Sequence, residues 1–194
     1  MALFLIGLVI FLCSHSCRIF AEPWRTKMIT QLGEKKWKGL YTIISLTGFV
    51  VMVVGYGQAR QNPILLWQPT SAGIHLALVL NLFTFILLAS SSPTNNAIRL
   101  KVKHPMILGV KVWALAHLFA NGTLVDLILF SSFLIWAVLD FRSARKRPFD
   151  VPESAVISKK ATFISVISGI VVWAIFVFWL HEVLIGVSPF MHLR

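Results

Sequence analysis

Acidic side chains are scarce in this chain, with seven Asp and Glu against 18 Lys and Arg in 194 residues. Cysteine is scarcer still, at two. Cys13 and Cys17 lie four apart, on one face of any helix, where a disulfide is geometrically poor. Their CSHSC setting lacks the C-x-x-C-H order of covalent haem attachment, so both are expected to be buried free thiols. There is no HExxH, no HxxxH and no histidine-rich box, which disfavours a zinc protease or a di-iron desaturase. Nothing resembles a phosphate loop or a dinucleotide fingerprint. No linker divides the chain, which reads as a single domain over residues 1–194.

What is present is hydrophobic length. Apolar residues make up 57% of the chain and mean hydropathy is +0.81, values that a soluble domain with a polar surface rarely reaches. A helix crosses the hydrocarbon core in about 20 residues. Runs of that order are Ala2 to Cys17, Gly39 to Ala59, residues 71–89, Pro105 to Ala120, Leu124 to Leu139 and Ala161 to Leu180. The expected fold class is all-α, an integral membrane bundle of about six transmembrane helices. Ala2 to Leu12 resembles a signal-peptide core, but no basic residue precedes it and no small-x-small site follows, so an uncleaved first span is expected.

The net charge of +11 invites a nucleic-acid partner, and its distribution argues against one. Six of the Lys and Arg lie in residues 18–38, three in 99–103 and six in 142–160. Positive loops stay cytoplasmic during insertion, so these segments face the cytoplasm and both termini face the periplasm. Anionic lipid is the natural surface for them. Trp24, Trp37 and Trp67 are expected at headgroup depth. Residues 140–160 read as a helix extension broken at Pro148 and Pro152.

The stretch HPMILGVKVWALAHLFANG, residues 104 to 122, carries the chemistry. Pro105 suits a first helical turn, which puts His104 at the inner boundary. Lys111 can stretch its stem back to the same interface. His117 sits farther along, inside the apolar band, where an imidazole needs a polar partner, water or a metal. By depth His75, His117 and His181 form an outer set, and His15 and His104 an inner one. A helix–helix hydrogen bond and bis-imidazole ligation of a b-type haem both satisfy such residues. In the turn Asn121-Gly122-Thr123, Gly122 is expected in the left-handed conformation and Thr123 as the next helix cap. Asp126 then reaches back to that cap or handles protons.

That stretch, with LGEKKWKGLYTIISLTGFVVMVVGYG (32–57) and WAVLDFRSARKR (136–147), resembles the NnrU family of bacterial inner (cytoplasmic) membrane proteins. The resemblance implies an association with denitrification, through nitrite and nitric oxide reductase function. The family is in turn similar to plastid 15-cis-ζ-carotene isomerases, which hold a b-type haem between histidines. Their motifs match at the SHS around His15, at 104–105, at WALAH (113–117) and at LHEVLIGVSPF (180–190). The resemblance therefore implies His15 and His117 as haem ligands, with His104 as a further matched histidine, as is His181. Arg18 and Lys111 become candidates for pairing with haem propionates. Where the isomerases carry a cysteine used in ligand exchange, this chain has Ala114, which implies that the exchange is absent.

Three functional classes follow. One is a haem-binding membrane protein, redox-active or isomerising a lipophilic substrate. The second is a non-catalytic partner that assembles or supplies membrane reductases, docking them on the basic loop 142–160. The third is a membrane methyltransferase, which shares a His-Pro-x-x-x-Gly helix start. The paired late glutamates of such enzymes are missing, and only isolated Glu153 and Glu182 follow.

Overall fold

The computed structural model describes residues 1–92, 94–149, 151 and 156–190; Pro152 and Glu153 lie outside them. Among the described residues there is no strand, and the elements are helices: α1 (Ala2–Phe20), α2 (Glu22–Leu32), α3 (Glu34–Ala59), α4 (Ser71–Ala89), α5 (Ala97–Val102), α6 (Pro105–Ala120), α7 (Leu124–Ala144) and α8 (Lys159–Ile175). A π-helical turn, Phe176–Leu180, joins α8 to α9 (His181–Ile185).

Five of these helical stretches are long and apolar enough to cross a membrane: α1, α3, α4, α7 and the continuous run Lys159–Ile185. The sixth expected span, α6, has 16 residues, which reach about 24 Å by helix rise, short of the ~30 Å hydrocarbon thickness. Large side chains such as Ile6, Val9, Leu46 and Ile135 are more than half exposed. In water, apolar surface on this scale marks an interaction face; on helices of this length it is the surface that lipid covers. The chain is a multi-pass membrane protein.

Several boundaries follow from local chemistry. Thr70 caps α4 by accepting from the Gly73 amide at 3.1 Å, and Ser158 caps α8 through the Ala161 amide at 3.1 Å. Pro105 begins α6. The basic segment 22–38 is helical rather than a loop. Pro23 suits the first turn of α2, and Glu34 opens α3 with a Lys38 ion pair at 2.7 Å. Trp37 is buried against an edge-on Trp24, ring centroids 5.7 Å apart, so of that pair only Trp24 is exposed.

The chain divides into two compact units. The first comprises Met1–Leu66 with Thr123–Leu129. Here α1 packs on α3 so closely that a Cβ on Gly7 would lie 2.1 Å from the Met52 amide nitrogen, and one on Gly55 2.2 Å from that of Phe4. Lipid tails are as apolar as leucine, so helices in a membrane associate through close packing of small residues. The thiols of α1 are free, as expected, but Cys13 is exposed and Cys17 half-buried rather than buried.

The second unit comprises Trp67–Gly122 with Phe130–Arg194. Within it α4 packs on both α6 and α8. Gly122 does not adopt the expected left-handed conformation. It is needed for close approach: a Cβ there would fall 1.9 Å from the Trp67 carbonyl oxygen, and its own carbonyl accepts from the Trp67 amide at 3.2 Å. The turn is thus fastened to a neighbouring extended segment, and no positive φ is required to close it.

Candidate functional site

His15 occupies the first unit, half-buried on α1. Its Nδ1 lies 2.8 Å from the Phe11 carbonyl oxygen, one turn back. A carbonyl only accepts, so Nδ1 carries a proton, which in the neutral ring puts the lone pair on Nε2. The ring packs between Phe11, centroid distance 4.2 Å, and the edge of Tyr41 at 5.5 Å.

His117 occupies the second unit, in the last turn of α6. Its Nδ1 donates to the Trp113 carbonyl at 2.9 Å, which again leaves Nε2 as the basic nitrogen. The imidazole stacks on Phe130 at 4.6 Å and 28°, and tilts against Trp113 at 5.1 Å. Trp113 is itself held edge-on by Phe130 and Phe133. The same anchoring recurs at His75, through the Ser71 carbonyl at 2.7 Å, and at His181, through Val187 at 2.6 Å. His181 follows directly on the π-helical turn, an irregularity often found at functional sites.

Of the predicted site residues, the second unit brings His104 and Lys111 together around one ring. Lys111 Nζ stands 4.8 Å from the centroid of Phe141, a cation–π contact, and His104 meets the same ring edge-on at 6.2 Å. Phe141 lies near the C-terminal end of α7, so Lys111 reaches toward that end. Arg18 is exposed in the last turn of α1, where a cation suits the helix dipole. His15 and Arg18 belong to the first unit, and His104, Lys111 and His117 to the second.

Burial holds the His104 imidazole below its usual value near 6.5, and the Arg147 guanidinium acts in the same direction against the opposing pull of Asp140. The folded state therefore disfavours the protonated ring. The contribution to stability is complete above the unfolded value near 6.5 and is lost as pH falls through the lower folded one. In a zwitterionic detergent, denaturation midpoints should drop from pH ~7.5 to pH ~5, and less steeply in a His104→Gln variant.

The first unit holds a second polar cluster. Asp126 is 6% exposed and receives the Thr123 hydroxyl on Oδ2 at 2.6 Å, while its amide approaches the Thr123 Oγ1 at 3.4 Å. That is the expected reciprocal cap. The Tyr56 hydroxyl donates to the other carboxylate oxygen, and the Arg60 guanidinium lies 5.6 Å from the Tyr56 ring centroid. Sequence reasoning missed Tyr56; the available signal was one of only two phenols in the chain, four residues before Arg60. A buried carboxylate deprived of one donor is costly, so Tyr56→Phe should destabilise by about 1.5–3 kcal/mol. Asp126→Asn should cost less, because both hydroxyls can reorient toward an amide. Denaturant titration of the two variants checks the order.

Among the described residues no three of His, Cys, Asp or Glu gather closely enough to cage a metal ion. The donors on offer are single imidazoles, each set by a backbone carbonyl, which is how metal-ligating histidines are oriented.

A protein-family model described as "NnrU protein" matches residues 3–189. No curated protein matches the chain, and no solved structure does.

Proposed function

The chain belongs to the NnrU family, and from that premise we propose that it holds a b-type haem through intramembrane histidines, in the bacterial inner membrane, in support of nitrite and nitric oxide reduction. The observation that carries this reading is His117. Its Nδ1–H is committed to the Trp113 carbonyl and its ring is clamped against Phe130, which fixes Nε2 as a lone-pair donor with a set direction. His15 has the same tautomer for the same reason. An imidazole held in this way would suit ligation of a haem iron. On this reading His117 and His15 would each offer a ring nitrogen to a haem iron, and each is testable by its own substitution.

A bound haem supplies one-electron redox chemistry or Lewis acidity. The residues of this chain supply orientation and a dry setting. Ala114, fully buried, replaces the cysteine of the similar isomerases and offers no alternative ligand, so the coordination should not change with redox state. The substrate class that suits a membrane-embedded site is lipophilic, a polyene for an isomerase-type reaction.

The test is a visible spectrum of the protein purified after haem-replete expression. A Soret band, with sharp reduced-state bands of a six-coordinate low-spin haem, is expected. A colourless protein would end the haem reading and leave the assembly-partner role, for which co-purification of a reductase subunit is the corresponding measurement.

A further inference from the structure

At the start of α6 the second unit contains a cavity of about 200 Å³, lined by Ser91, Arg99, Lys103, His104, Met106 and Ile107. No carboxylate is among the residues that line it. Arg99 spends one guanidinium nitrogen on the Ser91 carbonyl, while its Nε–H is buried and has no hydrogen-bond partner among the described residues. Leaving such a donor unpaired in a folded protein is unfavourable, and a ligand oxygen would satisfy it.

The backbone carries a second sign. Lys103 has φ +64°, and among the described residues it alone takes a positive φ without being glycine. Glycine would adopt this conformation at little cost; a lysine held there is strained. Strained residues of this kind cluster at ligand-binding sites, and Lys103 is among the residues that line the cavity. Finally, α6 begins without a side-chain cap, so the amides of Met106 and Ile107, two residues that line the cavity, are left uncapped at the positive end of the helix dipole.

We propose that this cavity binds a phosphate ester, held by Arg99 and Lys103 with the opening amides of α6, as a phospholipid headgroup or a soluble phosphate. The chemistry is that of charge-assisted hydrogen bonds to anionic oxygens, and the volume suits one headgroup. The site lies within the basic segment that the charge pattern assigns to the cytoplasmic face. It is independent of haem binding, since none of its residues is His15 or His117.

Native mass spectrometry of the detergent-solubilised chain tests it, with phosphatidylglycerol, diacylglycerol and inorganic phosphate as probes. Phosphatidylglycerol adducts are expected and diacylglycerol adducts are not. Lys103→Gln and Arg99→Gln should each weaken the adduct roughly tenfold, the loss of one charge-assisted hydrogen bond. Lys35→Gln with Lys36→Gln, which removes two exposed lysines from α3, should leave it unchanged. Lys103→Gly separates binding from folding: it relieves the strained φ and should raise heat stability while weakening the adduct. Inorganic phosphate that displaces the lipid would identify a soluble phosphate as ligand, and failure to displace would identify the headgroup. Equal loss in the α3 control, equal adducts with diacylglycerol, or an undiminished adduct in both Lys103 variants would overturn the proposal.

Discussion

Replacing His117 with alanine is expected to abolish the Soret band of protein expressed with haem in excess. Removing an outer-shell partner of a metal ligand already costs about 10- to 100-fold in affinity, so removing the ligand itself should exceed roughly 100-fold. The variant also deletes a ring stacked on Phe130 and tilted against Trp113, and aromatic pairs of this kind are worth about 0.5–1.5 kcal/mol. His117→Phe separates the two effects, since it keeps an aromatic ring in the stack and removes the nitrogen. Both variants should be colourless, and the phenylalanine variant should unfold close to the wild type. A phenylalanine variant that keeps the wild-type spectrum would show that His117 only packs. By the same reasoning His15→Ala should also lose the Soret band.

The second large effect concerns packing. Gly55→Val should disrupt the α1–α3 pair, because the first atom added would already meet the Phe4 backbone 2.2 Å away. Backbone cannot rotate aside as a side chain can, so the helices must separate and forfeit the dispersion contacts that hold them in lipid. A loss of about 3 kcal/mol, at the upper end of overpacking costs, is expected. A methyl group on Gly57, two residues on in the same helix, would meet nothing within 4 Å. Gly57→Ala should therefore be neutral or stabilising by up to ~1 kcal/mol, the helix-propensity difference. Opposite signs at two glycines of one helix, read from denaturant titration, are the signature of the seam. Equal responses would refute it.

How far the candidate site was legible varies by residue. The reciprocal cap between Thr123 and Asp126 was readable because it is local, three residues apart on one helix. The Tyr56 donor to that same carboxylate was not, since it arrives from 70 positions away along the chain. His117 was singled out as an imidazole in an apolar helix, but which nitrogen bears its proton depends on the Trp113 carbonyl and so on the helix geometry. Gly122 was recognised as necessary and given the wrong reason. A glycine signals freedom in φ and tolerance of close approach equally, and only the Trp67 carbonyl beside it distinguishes the two.

The sequence by itself determined the all-helical class, most of the helix positions and the distribution of charge. These are local properties: a run of apolar residues with a cap at one end and a basic cluster at the other needs no distant partner to be recognised. The tertiary structure alone decided which glycines are contacts, that Lys103 is strained, and which rings enclose each histidine. The physical reason is the solvent. In water the buried face of a helix announces itself by being apolar, whereas in a bilayer the lipid-facing and helix-facing sides are equally apolar. The pattern that would identify neighbours is then missing from the sequence, and only packing supplies it.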